Sequence, residues 1–401
     1  MLQIIYILSP SVMLHALAMD IFIPCVPTMA TALNTDFSKV QWILSIFVLS
    51  TGIGQIFIGP LTDKIGRRRI MLASISLFFL SSLICALAKS IEILIIARIF
   101  QGLSTCGTNI ATIAIVRDIF DDKTRPRMYS YLNITIAIVP MLAPILGGYL
   151  FIWFESWRST FYFLTGFSLL ALILIQQHLP ETGPAKSANF IASQLIKRYL
   201  KVVSNIQFLT FVACGTTGLT ALFLFYSVSS ILLIDKLGVA EDQFGYFFGL
   251  NAFVYLAAST ILSIFQQHFK LKYIVLCGST LMILGASLML FWEQKYGLSK
   301  SGLIVPNLVI TIGVALIFSP SISIAMAPFK YMAGTASAAY GTIQYSSTAS
   351  IVAFVMQSPT LSTIPLGTTI LILSTFIFLL VIHYPSDHLN TVASASKPID
   401  D

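Results

Sequence analysis

GPLTDKIGRRRIML, residues 59–72, is a short polar and basic stretch set between two long apolar runs. Gly59 and Pro60 are expected to end a helix there, with Asp63 and Lys64 in a tight turn. Gly66 permits a backbone that other residues resist, and Arg67, Arg68 and Arg69 anchor the following helix at an aqueous surface. Topology rules for membrane chains account for the three arginines, since basic loops stay on the cytoplasmic side. They leave the G-x-x-x-D-K-x-G-R-R spacing unexplained.

The composition around that loop decides the medium. Of 401 residues, 10% are charged and 57% hydrophobic, with a mean hydropathy of +0.88. A soluble domain carries about 25% charged residues, so this is a membrane chain. Runs of about 20 apolar residues cross a hydrocarbon core of roughly 30 Å. Twelve are expected: 4–27, 40–60, 70–88, 91–116, 128–150, 157–179, 205–232, 243–266, 271–292, 302–325, 334–357 and 363–384. The first is read as an uncleaved span, because MLQIIYILS holds no basic residue and the apolar run continues past Ala16, Leu17 and Ala18 to Pro27.

The net charge of +7 would suggest a nucleic-acid partner in a soluble protein, but its distribution points to the bilayer. With the amino terminus in the cytoplasm, 16 Lys and Arg fall in cytoplasmic segments and six on the opposite side, leaving Arg98 inside a span. That bias puts both termini in the cytoplasm, and no nucleic-acid partner is expected. The five cysteines form no C-x-x-C pair and read as small buried hydrophobes, so neither a metal nor a cofactor is called for. H-E-x-x-H, G-x-S-x-G and acidic metal clusters are missing, which argues against an enzyme.

The most polar interior stretch, LPETGPAKSANFIASQLIKRYLK at 179–201, follows the sixth run. Pro180, Gly183 and Pro184 break helix, and the basic tail suits a short amphipathic helix on the membrane surface. The expected organisation is a six-helix half over 1–179, a cytoplasmic linker over 180–204 and a second six-helix half over 205–401. Such pseudo-symmetric all-α architecture places a central site between repeats.

GPLTDKIGRRR closely resembles the signature loop of the major facilitator superfamily. RIFQGLSTCGTNIATIAIVRDIF (98–120) is similar to its fourth-helix motif, with Arg98, Gln101 and Gly102 in step. PMLAPILGGYL (140–150) resembles the fifth-helix antiporter motif, with Ala143 where the general pattern often has Gly. DIFIPCVP (20–27), WRSTFYF (157–163), LPET (179–182) and AGTASA (333–338) are similar to the Bcr/CflA branch of drug–proton antiporters. The counterpart of the signature loop in the second half, QQHFKLK (266–272), is degenerate. The resemblance implies a proton-coupled secondary transporter in a bacterial inner membrane, acting as a monomer on small molecules. It also implies that Asp63 contacts the end of a helix in the other half and holds the inner side shut.

Among the 16 acidic residues, Asp20 alone falls well inside a span, and Arg98 is the one basic residue at depth. A carboxylate deep in a bilayer costs roughly 2.5–3.5 kcal/mol on insertion scales, so it needs a partner or a task. Each lies seven residues from the outer end of its run, about 10 Å below the surface at 1.5 Å per residue, so the two share a level. In the resembling fold the first and fourth helices line the central cavity, which puts the side chains within reach of each other, directly or through water. A structural ion pair, a proton-coupling pair and a fixed counter-charge for substrate all fit these residues. His15, one and a half turns before Asp20, either extends a proton relay or serves as hydrogen-bonded scaffolding.

In the fifth helix, Pro140, Pro144, Gly147 and Gly148 permit bending and close packing alike. Candidate cavity groups are Phe22, Gln101, Asn109, Asn133, Phe223, Tyr226, Asn251 and Tyr255, a set of aromatics and amides suited to amphipathic and cationic molecules. Multidrug efflux is the leading expectation, and a siderophore or metabolite transporter on the same fold is the alternative.

Overall fold

The computed structural model describes residues 2–121, 124–182, 192–358 and 362–384. The described residues form fourteen α-helices: α1 (Leu2–Asp20), α2 (Val26–Ala32), α3 (Phe37–Ile65), α4 (Arg67–Leu87), α5 (Ile91–Ile119), α6 (Arg125–Phe154), α7 (Arg158–His178), α8 (Ala192–Val203), α9 (Ile206–Ser230), α10 (Glu241–Phe265), α11 (Leu271–Tyr296), α12 (Lys300–Met326), α13 (Ala333–Val355) and α14 (Ile364–His383). Eleven segments are long and apolar enough to cross a membrane, the first running through α1 and α2. The twelfth expected crossing is α13, a helix of 23 residues. Its density of Ser, Thr, Tyr and Gln keeps it below the hydropathy of the others. Large apolar side chains such as Phe57, Trp153, Phe154, Phe354 and Ile372 are exposed on many of the crossing helices, as lipid contact requires.

Two breaks in these helices matter for the site. Pro24 and Pro27 forbid a continuous first helix, because each lacks an N–H and restricts the residue before it. The chain therefore leaves α1 at Asp20, passes through a 3-10 turn over Ile23–Cys25 and restarts as α2. The second break is later than the sequence suggests. Gly59 and Pro60 do not end their helix, and Asp63 and Lys64 do not form a turn; α3 continues through all four to Ile65. A proline deletes one backbone bond, which the rest of a 29-residue helix tolerates. The turn itself falls on Gly66, whose φ of 109° is open to glycine and strained for other residues.

The contacts gather the chain into two compact units. The first contains the described parts of Met1–Ala192 with Phe223–Phe253 and Gly341–Leu361. The second contains Ser193–Leu222, the stretch Val254–Tyr340 and the described residues from Ser362 onward. This grouping differs from an even split at the linker, because one end each of α9, α10 and α13 packs with the first six crossing helices. Backbone approach at glycine makes that packing possible. A Cβ at Gly52 of α3 would lie 2.9 Å from Tyr345 Cβ of α13, and one at Gly245 of α10 would lie 2.6 Å from Ile145 Cα of α6. Hydrogen bonds accompany the contacts: Gln41 Nε2 donates to Ser227 O (2.6 Å) and Thr342 Oγ1 to Gly52 O (2.9 Å).

Within the second unit, α11 and α12 pack backbone to backbone, and α14 lies against α11. A Cβ at Gly278 would lie 2.7 Å from Gly313 O, and one at Gly313 would lie 2.5 Å from Gly278 O. Gln207 Nε2 donates to Ile324 O (2.9 Å), joining α9 to α12. The basic tail of the linker forms α8, with Ile196, Leu200, Lys197, Arg198 and Lys201 exposed. Gly183 and Pro184 lie outside the described residues. All five cysteines are free thiols, and Cys277, expected to be buried, is exposed on α11.

Candidate functional site

Arg98 is 0% exposed in the first third of α5, and its partners come from three helices. Nη1 donates to Ala18 O (2.8 Å) and Gln101 Oε1 (2.7 Å), while Nε donates to Ile43 O (3.1 Å). Ala18 O is available because α1 stops two residues later, leaving carbonyls of its last turn without intrahelical donors. Gln101 is fixed in turn by its Nε2, which donates to Ser82 Oγ of α4 (2.7 Å). The guanidinium carbon lies 4.6 Å from the centroid of Phe22 and 4.5 Å from that of Phe47. Such ring contacts with a desolvated cation are worth about 2 kcal/mol. The cage around this charge consists of neutral groups, and Nη2 has no hydrogen-bond partner among the described residues.

Asp20 stands between Ala18 and Phe22, both of which touch Arg98, yet no hydrogen bond or ion pair joins the two charged side chains. The carboxyl is 1% exposed and its Oδ1 is unpartnered among the described residues. Of the two ways in which the pair is expected to meet, directly or through water, the direct one is not made. The helix break explains why: it turns the carbonyl of Ala18 and the ring of Phe22 toward the arginine, and these take the contacts that a carboxylate would otherwise take.

His15 does not bond Asp20 either. Its Nδ1 shares a hydrogen bond with Thr105 Oγ1 (3.2 Å), and its ring stacks on Phe47 at 5.4 Å. Thr105 also donates to Gly102 O (2.9 Å), and Thr51 lies within 3.4 Å of the same hydroxyl. Gly102 is needed for this: any Cβ there would collide with Phe47 O, so α3 could not approach α5. The spacing of Arg98, Gln101, Gly102 and Thr105 thus puts the clamp, its support, the crossing point and the histidine partner on one helix.

Of the other cavity candidates, Phe22 and Gln101 are buried parts of the Arg98 cage. Phe22 also stacks on Phe161 (5.9 Å), which meets Trp157 edge-on at 6.0 Å, and Arg158 covers Trp157 at 4.3 Å. That explains WRSTFYF as the far side of the same support. Asn109 is half-buried and Asn133 exposed. Phe223, Tyr226 and Phe248 form a separate aromatic cluster, with Tyr226 and Phe248 4.6 Å apart, and Asn251 is buried. Tyr255 is half-buried in the second unit. Phe47, Thr105 and Tyr345 belong to the site but escaped the sequence reading. The polarity of α13 was the available signal for Tyr345.

At the basic end, Arg67 is 4% exposed and its Nε donates to Asp118 Oδ2 at 2.9 Å. Arg68 N donates to Glu181 Oε1 (3.2 Å) and its Nη2 to Gln176 O (2.8 Å), so LPET caps the start of α4. Lys64 is exposed and Gly59 has open space beside it; the Asp63 side chain lies outside the described residues. In α6, Pro140 and Pro144 sit inside a helix that continues past them. A Cβ at Gly147 would collide with Ile21 O, and one at Gly148 would press on Glu241 O. The fifth-helix motif therefore brings α6 against the broken end of the first helix and against α10.

Among the described residues, eleven segments of crossing length, with an arginine and an acid buried inside two of them, mark a polytopic membrane protein. The family model of the Major Facilitator Superfamily matches residues 8–353, and the chain belongs to that superfamily. It is 30% identical over 337 residues to the chloramphenicol resistance protein of Pseudomonas aeruginosa, covering 84% of this chain and 79% of that one. It is 28% identical over 331 residues to multidrug resistance protein D of Escherichia coli strain K12, with 82% of each covered. Its fold is similar to the crystal structure of a D-xylose–proton symporter, with a TM-score of 0.69, 17% identity and 95% and 96% of the two chains covered. It is also similar to that of the peptide transporter POT in complex with sulfate, with a TM-score of 0.76, 13% identity and 94% of each covered.

Proposed function

We propose that this chain exports amphipathic small molecules of the multidrug type in exchange for protons, by alternating access, from a bacterial inner membrane with both termini in the cytoplasm. The observation that carries the reading is the buried Asp20 carboxyl with an oxygen unpartnered among the described residues, two positions along the chain from the Ala18 carbonyl that holds Arg98. Asp20 can gain or lose a proton without breaking an ion pair. Arg98 stays in place through neutral acceptors and offers Nη2 as the fixed positive charge to which an ionised Asp20 can turn. The names of the resistance relatives support the substrate class, and the chain is taken to act as a monomer.

The test is uphill transport in inverted vesicles with an imposed pH gradient and chloramphenicol or ethidium as substrate. Asp20→Asn should insert at normal abundance and lose accumulation against a gradient. Full proton-driven accumulation by that variant would remove Asp20 from coupling.

A further inference from the structure

We infer that His15 and Tyr345 form an aromatic seat for the transported molecule, with Tyr345 as a specificity-determining residue. The two rings meet edge-on, their centroids 6.0 Å apart and their planes at 75°. Both lie deep within crossing helices, yet both are only half-buried, while Phe47, Thr51 and Thr105 around them are closed off. Neither His15 Nε2 nor the Tyr345 hydroxyl has a hydrogen-bond partner among the described residues. In a membrane interior, polar atoms left open in this way need water or a ligand.

The seat is held from behind. The hydroxyl proton of Thr105 goes to Gly102 O, so in the neutral histidine Nδ1–H donates to Thr105 and Nε2 is left as an acceptor. Phe47 stacks on the imidazole and fixes its plane. On the other side, Thr342 donates to Gly52 O, and the missing side chain of Gly52 lets Tyr345 Cβ and Ser346 N come against α3. The opening thus presents one acceptor, one phenolic hydroxyl and two ring surfaces, none of them charged in this form. Such a lining suits an aromatic molecule that carries hydroxyl or amide groups, and it tolerates an aromatic cation through the ring faces. Here His15 serves as a binding group and not as part of a proton relay.

This inference rests on the export reading, and two probes separate their failures: chloramphenicol, a neutral aromatic with hydroxyl and amide groups, and tetraphenylphosphonium, an aromatic cation without hydrogen-bonding groups. Binding of each to the purified full chain in lipid nanodiscs is measured for the wild type, Tyr345→Phe and Tyr345→Ala. Tyr345→Phe should weaken chloramphenicol by about 5-fold, one neutral hydrogen bond, and leave tetraphenylphosphonium unchanged. Tyr345→Ala should weaken both by about 10-fold through the lost ring contact. If Tyr345→Ala does not fold, Tyr345→Leu takes its place with the same expectation. Wild-type binding of both probes with unchanged affinities in the variants overturns the seat alone. Wild-type binding of neither probe overturns the seat together with the export of aromatic drugs.

Discussion

Arg67 and Arg98 are both buried, at 4% and 0% exposure, and they are held in opposite ways. Arg67 meets a carboxylate directly, its Nε donating to Asp118 at 2.9 Å near the aqueous end of α4. Arg98 meets two backbone carbonyls, one amide oxygen and two aromatic rings, and leaves the nearby Asp20 unpaired. A charge that meets its counter-charge gains position and loses freedom, because either partner can change state only by breaking the pair. A charge satisfied by neutral groups keeps its position whatever the neighbouring acid does. The same residue type thus serves as a fastener in one place and as a fixed reference charge in the other.

The largest break in this comparison is Arg98→Ala. It strips the donors from Ala18 O and Ile43 O, leaves Gln101 half-satisfied and opens a void between Phe22 and Phe47. The expected loss is about 3–5 kcal/mol, read as a fall in membrane abundance and in the unfolding temperature of purified protein. Arg98→Lys should rescue little, since an ammonium is a point charge and not a planar fork. Wild-type stability in the lysine variant would show that the neutral cage does not depend on guanidinium geometry.

Arg67→Ala should cost less, about 1–3 kcal/mol, because Asp118 is 20% exposed and water can replace part of the lost bond. A double-mutant cycle with Asp118→Ala measures the pair itself, and a coupling near zero would mean the two do not depend on each other. Gly66→Ala is the smallest, at about 1–2 kcal/mol. It forces a φ of 109° on a residue with a side chain and brings a methyl to 2.7 Å from Glu181 Oε2. Glu181→Gly in the same chain should recover only the contact part of that loss, leaving the backbone strain.

Much of this arrangement was legible in the amino-acid order. Hydropathy marks crossing helices because lipid tolerates no other backbone, and Asp20 and Arg98 stand out because charge is scarce at depth. Gly66 was legible as a special backbone position because glycine is the residue open to positive φ, although the turn was expected at Asp63 and Lys64. Three things were not. α13 is apolar only in part, and much of its polarity is turned inward, a distinction that composition does not carry. The end of α3 was misplaced because Pro60 reads as a stop, although one lost hydrogen bond cannot outweigh an otherwise intact ladder. The neutral partners of Arg98 were not legible, because a carboxylate is an obvious partner in a sequence, whereas a carbonyl freed by a helix break is invisible there. Phe22 and Gln101, chosen by chemistry as cavity groups, both contact Arg98.

The crossing of α11 and α12 has a mechanical meaning. Gly278 and Gly313 each set a carbonyl into the gap left by the other's missing side chain. Rolling either helix about its own axis would drive an oxygen into backbone, and separating them would strand two apolar notches. Sliding one along the other would carry each oxygen out of its notch and into the next residue, so the two helices move as one keyed piece, and a methyl group at either glycine would force them apart.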